Sequence, residues 1–478
     1  MMKQIVLNPR YKLRNDLERS ILFSDNGMMT LVHPLQAMIL SFFDKPDFLD
    51  NTIQKANYYL GISCKNIEDF VKPLVNNKTK TWVGENNNVT QFPEDLIIEE
   101  PVNYKERGYG FRDFMVDKKV DLQDLRLRKP LEFLFVVNTQ CFTDCLYCYA
   151  DRSKRMDSQI PLERVFEIFE ESKKIEINKI DFSGGDFFLC KNWDLILKSA
   201  IDNGFNPKPS TKTPITNNII KRLKEIGAKS IQFSIDSINQ SILTKLLSVP
   251  NDYWTKIDQS IHNTNEAGIH FRVNSLITDF NCDYDGACNL IDYLLRFDCF
   301  DEISIGKVGF SLYKTEDENK AFLNNYNDSN QILEKLRKVY KGEKKVIIGG
   351  SSSPDELKMT DKKFTNKARC TANYSGFVLL PDGKVTICEE LYWHPQFIIG
   401  DLLQQSILEM WNSSKALKLA NLSKKDVCDS CRKCIHFEYC HKYAGKCWKQ
   451  ILKAYGKENW FYPDPSCPNA PKPLYILG

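Results

Sequence analysis

Near-continuous apolar runs separated by helical stripes dominate the middle of the chain. "LEFLFVV" (131–137) has the character of a parallel strand covered on both faces. "PLERVFEIFEESKK" follows, with Pro161 placed for a first helical turn and Leu162, Val165, Phe166 and Phe169 on one stripe. "KIDFSGGD" reads as the next strand. The alternation continues through "WDLILKSAIDNG", "IIKRLKEIGAKSIQFSID", "YWTKIDQSIHNTNEAGIHFRVNSLI" and "NLIDYLLRFDCFDEISIGKVG", and Gly204, Gly227 and Gly268 each stand where a helix should stop. Repeated βα units predict a parallel sheet, open or closed into a barrel, with functional residues at the carboxyl ends of its strands.

The first 75 residues follow another pattern. Alternation in "RYKLRNDLERSILFSD" predicts short strands, and "HPLQAMILSFFD", "DFLDNTIQKANYYLG" and "NIEDFVKPLVNN" have helical spacing, a small winged-helix-like α+β arrangement. Residues 76–130 turn polar and irregular and read as a linking or bridging stretch, most clearly in "VGENNNVTQFPED". The barrel pattern occupies 131–310 and a bridging helical segment 311–365. From 366 to 478 the text breaks into short cysteine-rich pieces that need metal for part of their stability.

A chain of 478 residues exceeds what one core usually organises. Its net charge of +3 gives no footprint for nucleic acid or an anionic membrane. The start carries no signal-peptide pattern and no run approaches a membrane span, so a cytoplasmic protein is expected. There its sixteen cysteines are thiols rather than disulfides.

Three of them crowd into "NTQCFTDCLYCYA", as Cys141-x3-Cys145-x2-Cys148. Structural zinc takes four ligands, and no fourth cysteine or histidine lies nearby. A cubane iron-sulfur cluster on three thiolates leaves one iron open to a substrate or cofactor. With Tyr147 before the last cysteine, the motif resembles that of radical S-adenosylmethionine (SAM) enzymes. The resemblance implies a partial (β/α)6 TIM-like barrel, a SAM-chelating [4Fe-4S] cluster on Cys141, Cys145 and Cys148, and a 5′-deoxyadenosyl radical as hydrogen abstractor. It further implies SAM contacts from Ser183, Gly184, Gly185 and Asp186, where Asp replaces the family's usual Glu and the glycines let the backbone approach the ligand. Lys212 in "STKT", Ser234 and Asp236 in "SIQFSID", and Asn274 in "FRVNSLI" fall at the family's strand-three, strand-four and strand-five contacts.

The later cysteines resemble the SPASM extension and its two auxiliary [4Fe-4S] clusters. Cys370 is followed by twelve residues, Gly383, four residues and Cys388, with "LLPDGKVTIC" as a hairpin. Cys431-x2-Cys434-x5-Cys440, Cys447 and Cys467 complete the series. The resemblance implies an outer cluster on Cys431, Cys434, Cys440 and Cys467 and an inner one on Cys370, Cys388 and Cys447. Cys428 is surplus: either it closes the inner cluster, the favoured reading, or that cluster keeps an open iron for the substrate. The six residues between Cys440 and Cys447, against three in the family, are a departure. Glu389 and Glu390 fall where some relatives place an acidic proton acceptor. Cys64, Cys190, Cys282, Cys288 and Cys299 are expected to be buried free thiols, and His270 to be packed in an apolar strand.

The amino-terminal pattern resembles the PqqD-like recognition element of ribosomal-peptide maturases, which binds a leader peptide as an added strand. Arg10, Lys12 and Arg14 alternate and would offer an acidic leader a basic strand face. The expectation is a maturase that crosslinks a ribosomal precursor peptide, by a thioether or a carbon-carbon bond, fed by an electron donor such as flavodoxin or ferredoxin. The alternatives are a sulfatase-maturase-like oxidation of Ser or Cys, and a non-catalytic leader-binding scaffold.

Overall fold

The computed structural model describes residues 3–84, 89–323, 326–349, 358–443 and 445–474. Residues 85–88 of the expected linker and 350–357 of the expected bridging segment lie outside the described residues. Contacts divide the chain into a first unit, Met1–Lys129, and a second, Pro130–Gly478.

In the first unit β1 (Ile5–Leu7) leads into an antiparallel meander of β2 (Tyr11–Asn15), β3 (Ser20–Ser24) and β4 (Met29–Val32). Helices Pro34–Ser41, Leu49–Leu60 and Cys64–Val71 follow. The first starts on a capping box in which His33 Nδ1 accepts from Leu35 N and Gln36 Oε1 from His33 N, both at 3.2 Å. Leu13, Leu22, Leu40, Phe43, Ile67 and Phe92 are core residues.

Residues 76–84 and 89–129 fold with this unit. β5 (Thr81–Val83) and β6 (Thr90–Phe92) form a hairpin, and β7 (Ile97–Glu99) pairs antiparallel with β1. Two buried carboxylates fasten the rest. Asp44 accepts from the backbone of Arg107, Gly108 and Tyr109, and Asp16 from Arg19 Nε and the backbone of Arg128 and Lys129. Polar composition hid this, because the stretch is held by hydrogen bonds to buried side chains and by a few scattered core residues, Phe92, Leu96, Ile97 and Phe114, with no periodic stripe. Of the expected basic face only Arg14 is buried, where it donates to Lys129 O at 2.7 Å; Arg10, just before β2, is exposed and Lys12 half-buried, 3.6 Å from Asp95 and 2.8 Å from Asp25.

The second unit begins with β8 (Glu132–Asn138), parallel to β9 (Lys179–Gly184). β10 (Ser210–Thr211), β11 (Ser230–Ser234), β12 (His270–Ile277) and β13 (Phe300–Lys307) continue in parallel order, and β14 (Val346–Ile348) extends them. These first six strands alternate with helices as the sequence pattern predicts, and Gly204, Gly227 and Gly268 end helices at positive φ. β15 (Gly376–Leu379) then returns to pair in parallel with β8, Gly376 opposite Glu132, and β16 (Lys384–Thr386) and β17 (Ile398–Asp401) add antiparallel strands. Two five-stranded sheets result, β17-β16-β15-β8-β9 and β10-β11-β12-β13-β14. The described residues show no ladder between β9 and β10. One apolar core runs through the barrel into the cysteine-rich part, where Phe133 stacks on Phe377 at 4.9 Å. Among the described residues no helix is long and apolar enough to cross a membrane.

His270 is exposed at the start of β12, 2.7 Å from Asp301, because strand alternation turns Phe271 inward instead. Of the five cysteines expected to be buried, Cys190 is buried, Cys282, Cys288 and Cys299 are half-buried, and Cys64 is exposed in the first turn of its helix.

Candidate active site

At Asn138 the chain leaves β8 for the loop that carries Cys141, Cys145 and Cys148. Asn138 is fully buried; its amide donates to Asp186 O and its Oδ1 accepts from Gln140 N, each at 2.9 Å. Gly184 and Gly185, expected to leave room for a ligand, first admit this loop's own backbone. Gly184 has φ +122°, and a Cβ there would stand 2.1 Å from Asn138 O; one at Gly185 would stand 1.9 Å from Gln140 O.

Asp186 supplies what the missing β9–β10 ladder does not. One oxygen of its buried carboxylate accepts from Thr211 Oγ1 (2.8 Å), Lys212 N (2.9 Å) and Thr213 N (2.8 Å), and the other from Phe188 N (3.2 Å). Its side chain is therefore a clamp between strand ends. Lys212, held by the clamp, reaches Tyr147 Oη at 2.7 Å and Asp236 Oδ2 at 3.0 Å, and the Tyr147 hydroxyl donates to the same oxygen. Asp236 Oδ1 accepts from Leu276 N at 2.9 Å. Burial opposes the Lys212 charge, but Asp236 and Cys145 outweigh it and raise its pKa. Burial pushes the Tyr147 phenol well up. A buried ion pair and a tyrosine thus tie the cysteine loop to β10, β11 and β12.

Ser234 and Asn274 lie side by side in the β11–β12 register, Ser234 half-buried and Asn274 exposed. Burial and the neighbouring thiols push Cys141 up to about 12, and burial likewise raises Cys148.

The cysteine-rich part brings together two further sets. Cys431, Cys434, Cys440 and Cys467 line one cavity of about 40 Å³, with Phe437, Trp448 and Trp460 in its walls. Four thiols around an apolar cavity suit an iron-sulfur cluster. Cys370 neighbours both Cys388 and Cys447, and Asp464 accepts from Cys447 N at 2.9 Å. Cys428, expected with this inner set, instead neighbours Cys431, with its Sγ 3.1 Å from Ser430 Oγ, because it sits at the cap of the short helix that carries both residues. Among the described residues no three Cys, His, Asp or Glu side chains converge as one bound ion requires; a four-iron cluster spreads its thiolates more widely.

Glu389 joins the two halves. Its carboxylate accepts from Tyr149 Oη (3.0 Å), just after Cys148, and from Ser183 Oγ (3.2 Å), just before the glycines. Burial raises its pKa. Glu390 forms an ion pair with Lys449. Tyr149 escapes a motif search: its one sequence signal is an aromatic residue following the third cysteine.

Residues 135–281 match the Radical SAM superfamily and residues 370–435 the SPASM iron-sulfur cluster-binding domain. The fold is similar to Streptococcus suis SuiB, with 14% identity, a TM-score of 0.64, and 97% of this chain and 99% of SuiB covered. SuiB bound to the precursor peptide SuiA gives 15% identity and a TM-score of 0.62 over 96% and 98%. Among curated proteins, a probable GTP 3′,8-cyclase of Pyrobaculum aerophilum is 21% identical over 159 residues, 33% of this chain and 51% of the relative. A GTP 3′,8-cyclase of Nautilia profundicola is 24% identical over 162 residues, 32% and 49%. The chain thus spans about half the length of the curated relatives it matches.

Proposed function

From a radical SAM core followed by an iron-sulfur SPASM domain as the premise, we propose that this chain is a peptide maturase that crosslinks a ribosomally made precursor, a thioether being the first choice of bond and a carbon-carbon bond the second. The observation that carries the reading is the extent of the fold likeness: it takes in the first unit as well as the barrel and cysteine-rich part of an enzyme solved with a precursor peptide. The matches to GTP 3′,8-cyclases cover a third of the chain or less.

Cys141, Cys145 and Cys148 would hold the SAM-binding cluster; Cys431, Cys434, Cys440 and Cys467 the outer auxiliary one; and Cys370, Cys388 and Cys447 the inner. When bound, the first cluster and SAM supply a 5′-deoxyadenosyl radical that takes hydrogen from substrate. The protein's share is placement and shielding. The Tyr147–Lys212–Asp236 network fixes the cysteine loop; the backbone of Ser183, Gly184, Gly185 and Asp186 would hold SAM, and exposed Asn274 would offer it an amide beside Ser234. Glu389 is the proton acceptor: a buried carboxylate with a raised pKa is a stronger base than a solvated one and stands between the two cysteine loops. Glu390 orients Lys449. The first unit would hold the leader on a strand edge, and a one-electron donor such as flavodoxin or ferredoxin would reduce the cluster.

Co-expression with the small open reading frames beside the gene tests this. Loss of two hydrogens per site from one encoded peptide is expected. Unmodified peptides throughout, with SAM still cleaved, would remove the crosslinking reading.

A further inference from the structure

The last α-helix, Trp448–Tyr455, lays lysines against the loop that follows β13. Lys449 and Lys453 are one turn apart, and both ammonium groups sit over one buried ring: the Nζ atoms lie 4.9 Å and 4.1 Å from the centroid of Phe310. Lys449 has a counter-charge in Glu390. Lys453 has no ion pair among the described residues; the one charged group that acts on it is Lys449. Burial, then that like charge, brings its pKa down to about 8.

A buried cation is ordinarily paired, and the half-buried Lys453 has an aromatic ring but no carboxylate beside it among the described residues. This one is not serving a cluster. The charges acting on Lys446 include Cys440 and Cys431, and those acting on Lys212 include Cys145, whereas no cysteine acts on Lys453. Nor does it belong to the edge expected to hold SAM, which is built from Ser183 to Asp186, Lys212, Ser234 and Asn274. Its place is the carboxyl-end side of the barrel. Phe310 lies three residues beyond β13, its neighbour Ser311 donates to Tyr149 O at 3.2 Å, and Glu390 adjoins the Glu389 carboxylate that reaches Tyr149 and Ser183. One uncompensated positive charge, with the second lysine already neutralised, matches a monoanion.

We propose that Lys453 is an anion subsite on the carboxyl-end side of the barrel and receives a carboxylate of the peptide being modified, with Phe310 as its floor and the Lys449–Glu390 pair as its fixed neighbour. This rests on the peptide-maturase reading above. Lys453 is a specificity determinant, and the preferred peptide carries an Asp or Glu side chain, or a free terminal carboxylate, near the modified residue.

The test is affinity selection on the full-length, anaerobically reconstituted enzyme with a synthetic library of short random peptides, half with free and half with amidated carboxyl termini. Wild type should retain peptides with Asp or Glu at one position about tenfold above input, as one charge-assisted contact warrants. A preference confined to the free-acid half would assign the terminal carboxylate instead. Lys453→Gln should retain peptides without either preference, at unchanged iron content and circular dichroism, and Lys453→Arg should keep it. The same acidic preference in Lys453→Gln, or retained peptides with no acidic or terminal preference in wild type, overturns the subsite. Retention of no peptide by wild type overturns the subsite too, but not the maturase reading, whose leader contact these short peptides lack and whose failure shows in the co-expression experiment above.

Discussion

Replacing Asp186 by alanine removes the acceptor of four donors at once: the Thr211 hydroxyl and the backbone N–H groups of Lys212, Thr213 and Phe188. Hydrogen bonds to a charged group each contribute about 1.5–3 kcal/mol, but they are not additive and water will fill part of the space left. A loss of about 3–5 kcal/mol is therefore expected for Asp186→Ala, a large part of the ~5–15 kcal/mol that keeps a typical domain folded. Asp186→Asn keeps a carbonyl oxygen for the three donors after β9 and sets its amide against Phe188 N, so about 1–2 kcal/mol is expected. The assay is a urea titration followed by circular dichroism, run beside an anaerobic SAM-binding titration. SAM affinity should fall in the same order, since Lys212 moves when its backbone is released. An alanine variant that unfolds at the wild-type urea midpoint and binds SAM normally would refute the clamp.

Other expectations are sharper in sign than in size. Gly185→Ala should lose the iron of the cysteine loop alone, because its Cβ would collide with Gln140 O while the auxiliary sets are untouched; iron analysis checks this. Cys434→Ala should cost about a third of the iron if three clusters bind equally, whereas Cys428→Ala should leave it nearly unchanged. A lysine whose pKa falls to about 8 is half neutral at pH 8, when an ordinary lysine is almost wholly protonated. Lys453 should therefore be acylated ahead of the ordinary lysines, together with Lys307 and Lys446, which burial lowers to the same range, at a rate half-maximal near pH 8, as peptide mapping can show. A fragment of residues 1–129 should fold and one of residues 1–75 should not, since the shorter piece loses the β7 partner of β1 and the donors to Asp16 and Asp44; circular dichroism separates them.

The alternation of 131–310 is legible in the sequence because each strand and stripe declares its own period. The three cysteines are legible because iron chemistry restricts their spacing. What the sequence hides is side-chain economy. Asp186 reads as a ligand contact but is used up between strand ends, and Arg14 reads as a surface cation but is buried on Lys129 O. Cys428 cannot be assigned from spacing, because three residues of helix carry a thiol toward either neighbouring set and only the fold selects the one beside Cys431. Lys453 escapes for a like reason: nothing in "KQILKAY" tells that its lysines share a ring 140 residues upstream, and only the packing of that helix brings them there.

The parallel ladder of β15 on β8 has a consequence for how the protein is made. The first barrel strand emerges from the ribosome about 240 residues before the strand that covers its edge, so it must wait with open backbone groups and the apolar side chains of Phe133 and Phe135 beside them. A chain cut before Gly376 never closes that edge. It should associate with itself rather than persist as a smaller working barrel, and a graft of this cysteine-rich half onto another core must bring along an acceptor strand with the register of β8.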